Sequence, residues 1–308
     1  MRVGIIGGGV AGLAAAYHLT KEGHFAEVFE IAPFLGGQAS TFDVFGGRLE
    51  RGYHHLFVSD TDMTELIHEL GLGDRLAWLE SSVGFYHGGK IWDFASPLDL
   101  LRFKPLSIFQ RLKVGLWTLK LQKTRDYRKF ENVTAKDWLS RNMGQKGYEV
   151  IWEPLLRGKF GDFHDKIGMT WIWNKVTLRV ASRKGAGQVE HLGYPMGSFG
   201  EVIDVLEQRI LQQGGAVHTS ASVTKIVESD GSATSLDVRL EGSQTERREY
   251  DAVIATTPSY VFTRLAPPMP KEYQEKLEGI NYLSAVLMVL VLDRQFTNKY
   301  WLNIADPG

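Results

Sequence analysis

Cysteine is absent from the 308 residues, which excludes a disulfide framework, a thiolate-ligated zinc or iron–sulfur centre and a redox-active dithiol. Excess charge of either sign is missing too: 35 lysines and arginines face 36 aspartates and glutamates. No overall field therefore marks nucleic acid or an acidic polymer as the partner. The longest apolar run, Leu283 to Leu292, is too short to cross a bilayer and reads as a buried strand. Arg2, the apolar residues after it and Ala14 to Ala16 mimic a signal peptide, but Gly7, Gly8, Gly9 and Gly12 would interrupt its helical segment. A cytoplasmic protein is expected. With 44% hydrophobic residues the chain can bury a sizeable core, and its length suggests about two domains.

What is present is most distinctive at the N-terminus. Arg2 to Ile6 is a β-rich apolar run, Ala11 to Glu22 suits a helix, and Ala26 to Ile31 alternates like a second strand. Between the first strand and the helix, Gly7, Gly9 and Gly12 stand in GxGxxG spacing. The first permits a tight turn, the second lets a pyrophosphate approach the backbone, and the third lets helix and strand pack closely. Val10 and Ala11 begin the helix, whose free N–H groups and positive dipole end favour phosphate. Glu30 ends the second strand, where a carboxylate can accept from ribose hydroxyls and disfavours a 2′-phosphate. Strand, helix and acid together point to a dinucleotide.

Further on, Pro33-Phe34-Leu35-Gly36-Gly37-Gln38 supplies a second glycine pair placed to return beside the first loop. The stretches GIIGGGVAGLAAAYHL and FEIAPFLGGQAS resemble the FAD-binding start of the flavin amine oxidase, protoporphyrinogen oxidase and phytoene desaturase superfamily. The resemblance implies FAD rather than NAD. It also implies Arg or Lys after the glycine pair; Gln38 stands there instead, making a charge-assisted contact a neutral one, with Arg48 and Arg51 as the cations to compensate. Gly52, Tyr53 and His54, followed by His55, resemble the loop that passes the isoalloxazine ring. Neighbouring histidines on an extended segment point to opposite sides, a poor arrangement for a metal.

A second block supports the same assignment. Tyr194 to Gln213 carries a helical pattern closed by Gly214 and Gly215; short strands follow at Ala216 to Thr219, Ser222 to Val227 and Leu236 to Leu240, and Asp251 to Pro258 is a buried strand ending in a turn. In the resembled family this order completes much of the FAD domain, and Val223 matches the residue whose backbone contacts adenine. The fold class expected is α/β, a Rossmann-like FAD/NAD(P)-binding domain with an inserted, mainly helical substrate domain. The parts are residues 1–58 and 194–265 for FAD, 59–193 for the helical domain, and 266–308 as the start of an incomplete substrate-domain sheet.

All eight tryptophans lie outside the two FAD blocks. They suit an apolar substrate cavity and ordinary helix packing equally. From Leu98 to Lys129 nine basic residues face two acids, a local charge of +7, with leucines, Phe109 and Trp117 interspersed. Peripheral contact with anionic lipid at the inner membrane face and a solvated basic helix face are the two readings. Arg157 and Lys159 could hold an anionic group or form surface ion pairs. No catalytic residue is assigned, because flavin dehydrogenation needs chiefly orientation and a dry pocket.

The resemblance implies a flavin-dependent oxidoreductase that passes hydride from a small hydrophobic amine, polyene or porphyrin-like substrate to flavin N5. The alternatives are a non-redox flavin isomerase resembling UDP-galactopyranose mutase and a non-catalytic FAD-binding remnant. The family's substrate domain continues past the point corresponding to Gly308. The expectation is therefore a truncated chain whose Tyr282 to Asp293 strand leaves a hydrophobic edge open, with weak FAD retention.

Overall fold

The computed structural model describes residues 1–52, 54–181, 183–184 and 189–306. The chain forms two compact units: Met1–His54, Met63–Ala77 and Tyr194–Met288 make the first, and His55–Asp62, Trp78–Gly193 and Val289–Gly308 the second.

The first unit is built on a parallel sheet. Strand β1 (Arg2–Ile6) leads through helix α1 (Val10–Lys21) to strand β2 (Phe25–Phe29), and the sheet order is Ala216–His218, β2, β1, Ala252–Ala255, all parallel. Four consecutive buried residues end both β1 and β2, as expected of strands covered on both faces. Helix α1 lays Gly12, Leu13, Ala16, Tyr17 and Thr20 inward, and the helix Ser198–Gln212 packs beside it. A three-stranded antiparallel meander (Ser222–Ser229, Ser232–Arg239, Glu246–Glu249) closes a second core in which Ile226, Leu236, Val238 and Tyr250 meet Ile6 and Phe29.

Under that core Glu27 is held among three donors. The Tyr250 hydroxyl donates at 2.7 Å, His218 Nε2 lies at 2.9 Å, and the Arg248 guanidinium pairs with the same carboxylate. Burial alone would raise this carboxyl, but the Tyr250 and His218 hydrogen bonds and the Arg248 charge outweigh it and hold the group below its ordinary range.

The second unit is mainly helical around one core of Phe103, Leu106, Leu121, Leu139, Met143, Leu156, Met169 and Ile172. Trp117, Trp138, Trp152, Trp171 and Trp173 pack against it, and Trp117 meets Trp138 edge to face at 5.4 Å. The helix Ala135–Met143 starts at Thr134, whose Oγ1 accepts from the Asp137 N–H at 3.1 Å. The unit also carries strands: Val83–His87 pairs antiparallel with Lys90–Asp93 and parallel with Trp301–Ile304. A π-helical turn at Tyr148–Trp152 holds the Tyr148 side chain almost wholly buried, its hydroxyl without a hydrogen-bond partner among the described residues. Desolvation pushes that phenol up to about 12.

One expected element is corrected. Tyr282 to Asp293 forms no strand, and its side chains are exposed, Val286 at 98% and Met288 at 80%. An apolar alternating run becomes a strand only when a neighbour takes up its backbone N–H and C=O groups. Among the described residues no strand pairs with this one.

Candidate functional site

The turn between β1 and α1 is set by backbone geometry. Gly7 adopts φ +107°, which only glycine takes readily, and its N–H donates to Phe29 O at 2.9 Å. A Cβ on Gly12 would stand 2.0 Å from the Gly7 carbonyl oxygen, so no side chain fits where helix meets turn. Gly9 is the N-cap of α1 with ordinary φ −73°, and no side chain caps the helix. Among the described residues the first-turn N–H groups of Val10, Ala11 and Gly12 therefore meet no intrahelical or side-chain acceptor. Ala11 is exposed, so this positive helix end is open to an anion.

The second glycine pair does return to the first loop. Gly36 N–H donates to Gly8 O at 2.8 Å, Gly36 forms a parallel bridge with Gly9, and a Cβ on Gly37 would stand 3.2 Å from the Gly9 Cα. The left-handed φ of +102° at Gly36 makes that approach possible. Gln38 lies exposed in the single 3-10 turn that follows. Of the two arginines, Arg48 pairs with Asp204 and donates to Thr41 Oγ1 at 3.2 Å, whereas the Arg51 guanidinium lies 4.5 Å over the Phe34 ring.

Glu30 joins these pieces. Its Oε2 accepts from the Gly8 N–H at 2.7 Å and its Oε1 from the Ala32 N–H at 2.8 Å. Each carboxylate oxygen keeps a further acceptor direction, so the group is oriented yet able to receive hydroxyls. Ala221 N–H donates to Glu30 O at 2.8 Å, fixing the start of the Val223 strand beside it. The Val223 side chain is buried in the meander core and a bulge follows it, leaving only backbone for outside contact.

Tyr53 lies outside the described residues. His54 Nδ1–H donates to Gly52 O at 2.6 Å, since a carbonyl can only accept, and its ring sits 5.8 Å from Phe199. His55 Nδ1 is 3.1 Å from the Tyr300 hydroxyl. Arg157 pairs with Glu153 one turn away.

Two groups escaped the sequence reading. Thr256 donates to Ile6 O at 3.0 Å from beneath the glycine turn; the polar pair that closes the Asp251 to Pro258 run was its only signal. Glu50 is buried and accepts from Phe199 N–H at 2.8 Å and Tyr194 OH at 3.0 Å, seating the start of the Ser198–Gln212 helix. An isolated acid in a strand carries no such signal. Beside the second glycine pair opens a cleft of 330 Å³, lined in part by Phe34, Leu35, Ile203, Asp204 and Glu207. Burial, then the Asp204 charge, raises the Glu207 carboxyl. Arg48, paired with Asp204, lines the same cleft, so it carries charge of both signs.

These features define a Rossmann-like dinucleotide-binding protein, and the open helix end, paired glycine loops and oriented Glu30 fit FAD. The family described as flavin containing amine oxidoreductase matches residues 10–306. The chain belongs to that family, and its cofactor is FAD. Similar proteins include 15-cis-phytoene desaturase of Synechococcus elongatus, 24% identical over 97% of this chain and 67% of that protein. Mitochondrial protoporphyrinogen oxidase of Nicotiana tabacum is 29% identical over 56% of this chain and 36% of that protein. Among solved structures, a putrescine oxidase bound to putrescine superposes with a TM-score of 0.65 at 18% identity, covering 90% of this chain and 63% of that one. An oxidoreductase from Methanosarcina mazei gives 0.66 at 20% identity, covering 91% and 64%. The chain thus spans about two thirds or less of the proteins it resembles.

Proposed function

We propose that this chain is the FAD-holding part of an oxidoreductase acting on a hydrophobic amine, polyene or porphyrin-like substrate. The observation that carries the reading is the bridge between Gly9 and Gly36 in front of an uncapped helix end, with Glu30 fixed alongside. The N–H groups of Val10, Ala11 and Gly12 would hold the diphosphate. Glu30 would receive the adenosine ribose hydroxyls, the Val223 backbone the adenine, and Gly52 to His54 would line the ring. Bound FAD would supply the hydride acceptor, at N5. The side chains supply orientation: the Gly52 carbonyl fixes the His54 tautomer and Phe199 backs its ring.

The similar proteins support this reading through their names, which include desaturases of carotenoid precursors and a porphyrinogen oxidase. The test is an anaerobic titration of the FAD-loaded protein with amines, carotenoid precursors and porphyrinogens. Bleaching of the oxidised flavin absorbance by one class is expected, and no bleaching by any of them would overturn the proposal. The exposed run Leu283–Leu292 favours a second reading, in which this chain binds FAD but turns over only with further polypeptide. FAD binding without bleaching would mark it.

A further inference from the structure

Side chains four apart on a helix share a face, so Trp171, Lys175 and Arg179 form one stripe on the helix Met169–Ala181. That stripe meets the strands Leu56–Phe57 and Val189–Pro195, where Phe57 stands opposite Leu192 and Glu190 lies two residues from Leu192 on the same strand face. The two cations of the stripe fare differently. Arg179 pairs with Glu190 at 3.3 Å. Lys175, one turn earlier, finds rings instead: its Nζ lies 5.7 Å from the centre of Phe57 and 5.9 Å from that of Trp171. Among the described residues no carboxylate pairs with it, and Asp60, the acid whose charge reaches it, accepts from the Phe57 N–H at 2.8 Å.

Lys175 is partly buried, and burial together with the charges of Lys159 and Arg179 pulls its ammonium below the ordinary lysine range. A cation removed from water is ordinarily paired with an acid, and a contact with aromatic faces recovers only part of the hydration lost. An apolar side chain at this position would pack without that cost. The rings continue on both sides. Phe57 meets His55 edge to face at 5.1 Å, His55 meets Tyr300 at 6.0 Å, and Trp171 meets Phe160 at 5.0 Å. Five rings of the second unit thus make one row with the Lys175 ammonium within it, and the chain enters that row directly from the Gly52 to His54 loop.

We propose that this row is a binding wall for a flat, unsaturated molecule carrying a carboxylate, with the carboxylate seated on Lys175 and the apolar body laid along the rings. Charge selects among ligand classes. A protonated amine would meet like charge from Lys175, Lys159 and Arg179, and a neutral polyene would leave the ammonium without a counter-ion. A diphosphate carries more charge than one ammonium, a point donor, can answer. A carboxylate matches it. The proposal rests on the flavin reading for the bound molecule being the substrate, and Lys175 is then the residue that sets the substrate's class.

The test is equilibrium dialysis of the FAD-loaded chain against all-trans-retinoic acid and all-trans-retinol, which share one polyene and differ in a carboxylate against a hydroxyl. The acid should bind about tenfold or more tightly than the alcohol. Lys175→Gln should bring the two within about twofold of each other, Lys175→Arg should keep the preference, and Phe57→Ala should weaken both by about fivefold. A lysine with a structural role alone would shift both ligands together, so their ratio isolates the charge. Circular dichroism and the melting temperature of Lys175→Gln should stay at or above wild-type values, because a partly buried cation is removed. The proposal is overturned by equal binding of acid and alcohol to the wild type, by no binding of either, by a preference that survives in Lys175→Gln, or by retinylamine binding more tightly than the acid. Flavin bleaching plays no part in this readout. Equal binding refutes the wall and leaves hydride transfer to FAD standing, whereas absent bleaching with the preference intact refutes the flavin reading alone.

Discussion

Gly9 and Gly12 stand three residues apart in one motif, yet the structure gives them separable roles. A methyl group on Gly12 would meet the Gly7 carbonyl oxygen at 2.0 Å and Thr256 Oγ1 at 3.0 Å. The first of these is backbone in a strained turn and cannot rotate away, so Gly12→Ala belongs at the upper end of the overpacking range, about 3 kcal/mol. For a chain of this size that lowers Tm by roughly 6–12 °C. Gly9→Ala is the opposite case. Its φ of −73° suits alanine, and the nearest atom to the added methyl is the Gly37 Cα at 3.9 Å, an ordinary contact. The stability of the apoprotein should be unchanged or higher by up to about 1 kcal/mol, through the less flexible unfolded chain. On the proposed seating the methyl would nevertheless stand between the backbone and the diphosphate, and one lost charge-assisted hydrogen bond, about 1.5–3 kcal/mol, weakens FAD about 10- to 150-fold. Thermal unfolding of the apoproteins and FAD fluorescence titration measure the two effects separately. Gly12→Ala melting with the wild type, or Gly9→Ala binding FAD within twofold of it, would refute the reasoning.

Replacing Gln38 with arginine restores a cation after the second glycine pair; FAD should bind about tenfold tighter, with a steeper salt dependence in the same titration. Tyr148→Phe removes a buried hydroxyl that has no partner among the described residues, so the protein should gain about 1–2 kcal/mol in urea unfolding; a loss of stability would show that the hydroxyl is satisfied. Glu27 titrates below its ordinary range in the folded state. The stability it contributes is therefore complete above the unfolded carboxyl value and disappears as pH falls through the lower folded value. Glu27→Gln should flatten the acid limb of a stability-against-pH curve below about pH 4.5, while an acid limb as steep as the wild type's would contradict the assignment. Glu50→Ala strands the Phe199 N–H and takes one acceptor from the Tyr194 hydroxyl, at about 1–3 kcal/mol, which chemical unfolding will register.

Sequence reading succeeded where a local rule carries the geometry. The turn at Gly7, the N-terminus of α1 and the carboxylate at Glu30 are spaced by the strand and helix that hold them, so periodicity locates them directly. The return of Gly36 to Gly8 was legible for a similar reason, since few residues separate Glu30 from the pair and little room is left for another path. Glu50 and Thr256 were hidden because their partners are distant in sequence: Phe199 lies far beyond Glu50, and Ile6 far before Thr256. Val223 was placed by resemblance, and its side chain faces the core rather than the site.

The same distinction explains the two apolar runs that misled or divided the sequence reading. Leu283 to Leu292 has the composition of a buried strand, but pairing is supplied by another strand and cannot be encoded in the segment itself. Among the described residues no strand lies beside it to take up its backbone groups, whatever its propensity. The helix Ile108–Lys123 posed the reverse problem. Composition showed a basic, leucine-rich stretch and could not tell a solvated face from an adhesive one, because that depends on which leucines the core takes. The core takes Val114 and Leu121, and a helix has only one side to give it. Trp117 packs against that core as well, and Ile108, Phe109, Leu112, Leu116 and Leu119 are left exposed, beside cations of which Arg111 donates to the Leu101 and Leu106 carbonyls and Lys120 lies over the Trp117 ring.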